Sequence, residues 1–118
     1  MTGTLYVIGT GPGSRDQMTP EAVKAVASAS EFFGYGPYLD RLSLSDDQKR
    51  VASDNREELD RARAALGRAA DGIDVGVVSG GDPGVFAMAA AICEAIEQGP
   101  PEWRAIDIVV TPGVTAML

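Results

Sequence analysis

Apolar residues in this chain fall into short blocks, and the blocks alternate between two spacings. Residues 4–9, TLYVIG, are a near-continuous apolar run of strand length. After a glycine-rich turn, Thr19 has the character of a helix N-cap and Pro20 of a first helical residue, with Glu21 in the first turn. Val23, Val26, Ala27 and Ser30 then recur on one helical face. EFFGYGPYLDRL reads as a short aromatic strand, a turn at Gly34–Pro37 and a helical turn, and SLSDDQKR as a polar loop. A second helix is expected over 55–70, with Leu59, Ala62, Leu66 and Ala69 as its apolar stripe, Glu57 and Arg61 as an i,i+4 ion pair, and Gly72 as its end signal.

The second half repeats the alternation. IDVGVV, 73–78, reads as a strand and SGGDPG as its exit. From Val85 to Ile96 the chain is apolar almost all round, so a well-buried helix is expected. GPPEW is a surface connection, IDIVV (106–110) another strand, and TPGVTAML the start of a further turn and helix. Strand–helix alternation of this kind predicts α/β architecture, a three-layer domain with a largely parallel sheet and right-handed crossovers. The three glycine turns, at Gly9–Gly13, Gly80–Gly84 and Pro112–Gly113, all follow predicted strands. In an open parallel sheet they would share the rim where ligands bind.

Composition narrows the chemistry. The 118 residues are 45% hydrophobic, enough for one domain with a real core. A net charge of −7 without a cluster of Lys and Arg argues against nucleic acid. No apolar run approaches a membrane span, and the N-terminus lacks a basic flank before an apolar stretch. The chain has no histidine, which removes Ser–His and Cys–His catalysis and most zinc sites. The lone Cys93 reads as core packing, and with it a cytoplasmic location is expected.

The loops carry the remaining signal. GTGPGS only loosely resembles a dinucleotide fingerprint, because Ser14 stands where the third glycine should be and Pro12 removes a backbone donor. No Lys-Ser/Thr follows to make a Walker loop. A tight strand exit with no ligand stays open for this segment. SGGDPGVFAMA is more specific. Gly80 and Gly81 allow close backbone approach, Asp82 sits where a carboxylate caps a helix and shapes a ligand site, and Val85 and Phe86 offer an apolar wall. The competing reading there is a capped helix with nothing bound.

Taken together, GTGPG, SGGDPGVF and TPGVTA resemble the loops of the tetrapyrrole (corrin/porphyrin) methylases, in order and along the whole chain. GYGPYLD (34–40) and NREELDRARAAL (55–66) are similar to the branch that methylates C-17 of precorrin-3B, with ring contraction, in cobalamin biosynthesis. The resemblance implies two α/β domains with S-adenosylmethionine held between them and S-adenosylhomocysteine as product. Residues 1–118 would be the first domain, truncated within the helix that TPGVTA begins. Cofactor contacts carried over from the resemblance are Pro12, Gly80, Gly81, Asp82, Val85, Thr115 and Ala116; no metal and no catalytic residue is assigned. Sirohaem-forming members carry Tyr-Asp where this chain has Tyr35-Gly36, so that carboxylate is absent here. The expected partners are a tetrapyrrole substrate and a second copy of the chain in a homodimer, without nucleic acid or membrane. Tyr35 and Tyr38 could face the macrocycle or simply pack. Arg15, Arg41 and Arg50 could meet its carboxylates or remain solvated charges. A nicotinamide-dependent Rossmann oxidoreductase domain and a non-catalytic binding module are the alternatives.

Overall fold

A computed structural model describes residues 2–10, 19–54, 57–80 and 82–111, without the side chains of Asp82 and Pro83. The chain alternates strand and helix throughout: β1 (Thr4–Gly9), α1 (Pro20–Ser28), β2 (Glu31–Tyr35), α2 (Gly36–Leu39), β3 (Lys49–Ser53), α3 (Glu58–Ala70), β4 (Val75–Ser79), α4 (Asp82–Gln98), a 3-10 helix (Pro101–Ala105) and β5 (Asp107–Thr111). The five strands form one sheet in the order β3-β2-β4-β1-β5, and every pairing is parallel. β4 is buried along its whole length, as expected for a strand covered on both faces.

Helices cover both faces, giving the three layers expected. On one face Ala22, Ala25 and Ala29 of the α1 region and Leu39 of α2 pack on Ile8, Phe32 and Val78. On the other, Ala62, Leu66 and Ala69 of α3 and Val85, Met88 and Ile92 of α4 pack on Leu5, Val7, Val75 and Val77. Thr19 caps α1 as predicted, its Oγ1 accepting from the Ala22 N–H at 3.1 Å, with Pro20 in the first turn. Gly72 ends α3 at φ 95°. Its N–H donates to the Ala69 carbonyl and the Ile73 N–H to the Arg68 carbonyl, the paired closure of a Schellman turn.

Four readings need correction. First, 43–50 is not all loop: Lys49–Ser53 is an edge strand, β3, whose charged and half-exposed residues hide the apolar alternation. Second, α1 buries Ala22 and Ala25 and half-buries Val26, while Ala27 is exposed and Val23 is 53% exposed. Phe32 and Ile8 project from the sheet beneath, so small residues let the helix approach closely, Val26 packs at the edge of the cluster and Val23 turns outward. Third, α4 is buried on one side only. Sheet and α3 cover Val85, Met88, Ala91, Ile92 and Ala95, while Phe86 is 72% exposed. Fourth, Cys93 is exposed. It lies seven residues beyond Phe86, two helical turns along the same outward face, so helical phase overrides its apolar neighbours. Smaller shifts also occur. β2 runs directly into α2 without a separate turn, and Trp103 of the connection packs on the core beside α3 and α4.

Candidate active site at the carboxyl rim

In the order β4-β1-β5, three neighbouring strands end together. Gly9 pairs with Ser79, and Ile8 with Thr111. Hydroxyl residues lock these ends. The Thr10 N–H and Oγ1 both donate to the Ser79 carbonyl, at 2.9 and 3.0 Å, and Thr111 Oγ1 donates to the Val7 carbonyl at 3.1 Å. All three side chains are nearly inaccessible, and the buried Thr10 and Thr111 hydroxyls thereby meet their own need for a partner. The small hydroxyl residues at the strand ends thus tie β1 to β4 and to β5.

From this rim the chain departs to opposite faces. α1 follows β1 onto one face, and α4 follows β4 onto the other. Adjacent strands whose helices leave in opposite directions open a crevice between their carboxyl ends, the usual ligand position in an open α/β sheet. Gly9, Thr10, Ser79 and Gly80 border it. The backbone of α4 begins at Asp82, one residue earlier than a cap position would place it. Val85 sends its side chain into the core, and Phe86 faces outward. Pro12, Gly81, Thr115, Ala116, Arg15 and the Asp82 side chain lie outside the described residues.

Beside this crevice lies a cleft of about 280 Å³ lined by Tyr38, Glu58, Arg61, Ser79, Gly80 and Met88, among others. Tyr38 is held on three sides. Its ring meets Tyr35 edge-on at 5.4 Å, Arg41 lies 5.3 Å above it, and a Cβ on Gly80 would fall 2.5 Å from its Cζ. Gly80 is therefore glycine because the Tyr38 ring occupies its side-chain space. Arg50 donates to Asp40 at 2.6 Å on the exposed surface. Arg61 does not pair with Glu57 as its spacing suggested. Its Nε donates to Ser53 Oγ at 2.9 Å and its Nη2 to the Asp54 carbonyl at 2.6 Å, tying the β3 exit to α3. Burial pushes the Arg61 pKa down, against the nearby carboxylates of Glu58, Glu57 and Asp54. Sequence reasoning missed this residue, although it sits four positions before buried Ala65 and so on the inward face of α3. No group of side chains suited to a metal ion occurs among the described residues.

A larger cleft, about 490 Å³, lies at the opposite end of the sheet between the close of α1 and residues 43–48. There Gln48 Nε2 donates to the Val26 and Ala29 carbonyls, both at 2.8 Å, and so caps α1. Its polar groups serve the fold, so size alone does not make it the site.

Residues 4–118 match the family model for Tetrapyrrole (Corrin/Porphyrin) Methylases, and the chain belongs to that family. It is 73% identical over all 118 residues to a precorrin-3B C(17)-methyltransferase from Sinorhizobium sp, covering 46% of that protein. It is 47% identical over 116 residues to the cobalamin biosynthesis protein CobIJ of Mycobacterium tuberculosis (strain ATCC 25618 / H37Rv), covering 98% of this chain and 22% of that protein. Among solved structures, that of the methyltransferase CobJ superposes with a TM-score of 0.88 at 48% identity, over 98% of this chain and 48% of the other. The chain thus spans less than half the length of these relatives. Family membership sets aside the nicotinamide-dependent reading.

Proposed function

We propose that this chain is the first domain of a two-domain S-adenosylmethionine-dependent C-methyltransferase that methylates C-17 of precorrin-3B, with ring contraction, in cobalamin biosynthesis. The observation that carries this reading is the 73% identity to a precorrin-3B C(17)-methyltransferase along the whole chain. The fit of the rim to the cofactor supports it. Gly9, Thr10, Ser79 and Gly80 border the crevice with backbone and small side chains, a lining suited to the polar edges of adenine, ribose and an amino-acid group. When bound, the cofactor supplies an electrophilic methyl group on a sulfonium.

The chain's own part is positioning. Thr10 and Thr111 keep the strand ends fixed, so the backbone around them is set before the ligand arrives. Pro12, Gly81, Asp82, Thr115 and Ala116 would add contacts from the loops. Orientation of this kind supplies on the order of 7–11 kcal/mol of barrier reduction in favourable cases. The second domain would close the other side of the crevice and exclude water, so the 118 residues alone are expected to bind cofactor weakly and to turn over nothing. A homodimer in the cytoplasm belongs to the same reading. The apolar outer face of α4, with Phe86 72% exposed, is the surface that favours self-association.

Calorimetric titration of the complete protein with S-adenosylhomocysteine and with NAD, followed by incubation with labelled S-adenosylmethionine and precorrin-3B, tests the proposal. Binding of the first ligand alone and label in the macrocycle are expected. Binding of both without transfer would leave a binding module in place of an enzyme.

A further inference from the structure

The arginines of this chain are paired in an unexpected way. Arg50, Arg63 and Arg68, with side chains 45%, 45% and 43% exposed, each have a carboxylate within ion-pair distance. Arg61 is 6% exposed, and no ion pair among the described residues includes it. Its partners are a hydroxyl and a carbonyl, both neutral. They take two of the five N–H donors of a guanidinium. Desolvation favours the reverse arrangement, since a buried charge needs its counter-charge far more than an exposed one. The group stays charged, because arginine does not lose its proton in proteins.

Arg61 also lines the 280 Å³ cleft with Tyr38, Ser79 and Gly80. The first turns of α3 and α4 contribute Glu58, Arg61 and Gly84 to its walls, so two helix N-termini add partial positive charge there. Against them stand the carboxylates of Glu58, Glu57 and Asp54 around Arg61.

We propose that Arg61 is a preformed carboxylate-binding group. A ligand carboxylate entering the cleft between α2, the start of α3 and the β4 exit takes the free guanidinium donors and adds a direct ion pair to the more distant attraction of Glu58, Glu57 and Asp54. The proposal rests on the methyltransferase reading, which offers two sources of that carboxylate: the amino-acid end of the cofactor and an acid side chain of the tetrapyrrole. Glu58 is the competing anion at the cleft. Its exposed side chain makes no ion pair with Arg61, and it can swing into solvent when the ligand arrives.

The test uses the complete protein with Arg61→Gln, Arg61→Lys and Glu58→Gln. Wild-type methyl transfer to precorrin-3B is the control, and its absence would defeat the methyltransferase reading alone. If the carboxylate belongs to the tetrapyrrole, Arg61→Gln raises KM for precorrin-3B by about tenfold or more and leaves S-adenosylhomocysteine affinity unchanged. If it belongs to the cofactor, S-adenosylhomocysteine binding weakens by about the same factor, while its methyl ester binds wild type and variant alike. Arg61→Lys falls between wild type and Arg61→Gln, and Glu58→Gln tightens whichever ligand is involved. Both affinities within about twofold of wild type, in an Arg61→Gln protein with unchanged thermal unfolding, would overturn the proposal. If Arg61→Gln fails to fold, the wild-type Arg61 side-chain ¹⁵N resonances decide. A shift on saturation with S-adenosylhomocysteine or precorrin-3B supports the assignment, and no shift with either overturns it.

Discussion

The two ends of the sheet treat their polar groups differently. At the amino end Glu31, Arg68 and Asp74 all have internal partners. Arg68 binds Glu31 through two hydrogen bonds of 3.0 and 2.8 Å, and Asp74 accepts from the Thr4 N–H with Oδ1 and from the Ser30 N–H with its carbonyl. Gly3 donates to the Ala69 carbonyl and closes the same corner. At the carboxyl end hydroxyls fix the backbone, the Tyr38 ring fills the space beside Gly80, and the buried Arg61 hydrogen-bonds only a hydroxyl and a carbonyl. One end is tied internally, and the other turns guanidinium donors toward a cleft. Substitutions at the amino rim should therefore cost stability and spare ligand affinity, with the opposite at the carboxyl rim.

The largest loss expected is at Gly3, where a Cβ would overlap the backbone of Ile73. Backbone cannot swing aside, so Gly3→Val should destabilise by roughly 3 kcal/mol, near the top of the usual overpacking range. Gly36→Ala is the control, because nothing lies within 4 Å of its added Cβ. Denaturant midpoints of the two variants check the contrast.

Asp74→Ala should follow, at about 1 kcal/mol, since the Thr4 N–H loses its 2.9 Å acceptor while part of that site still sees water. If it also weakened S-adenosylhomocysteine binding, the separation of the two rims would be wrong.

Glu31→Gln sharpens the picture through pH. Hydrogen bonding to Arg68, with help from the Arg68 and Lys49 charges and against desolvation, holds the Glu31 carboxyl below the usual glutamate range. A folded pKa below the unfolded one gives stability that is present above the unfolded value and is lost as pH falls through the folded value. Wild type should thus lose stability on acidification from the ordinary glutamate range downward, and the Gln variant should lose less there. Arg68 is well exposed, so solvent screens the pair and the effect at neutral pH is small. Thermal scans from neutral to acid pH measure both.

The smallest effect is at Cys93. Exposed on α4, it should react at the rate of an open thiol, and Cys93→Ser should shift stability by no more than about 0.5 kcal/mol. Slow labelling in the complete protein would mean that another part of it covers this face.

Much of this contrast was readable in the sequence, and the exceptions share a cause. Strands of unbroken apolar residues, the Thr19-Pro20 start and the Gly72 stop announce themselves locally, because each depends only on its own backbone. The exits of β1, β4 and β5 could be assigned to one rim because a parallel sheet puts all carboxyl ends together. What was misread depended on neighbours distant in sequence. β3 is polar because it lies at the sheet edge. The inward face of α1 is set by Phe32 and Ile8, and the outward face of α4 by what the sheet fails to cover. Arg61 passed for a surface ion pair because spacing to Glu57 says nothing about Ser53 and Asp54, which turn it inward.

Amide exchange of the complete protein, with and without S-adenosylhomocysteine, tests the central claim most directly, because it reports where the ligand sits. The account predicts slowed exchange around Thr10, through Ser79–Phe86 and at the close of β5, with none at Ser30–Glu31 or Arg68–Asp74. Protection confined to that amino rim, or to the cleft between α1 and Gln48, would contradict it.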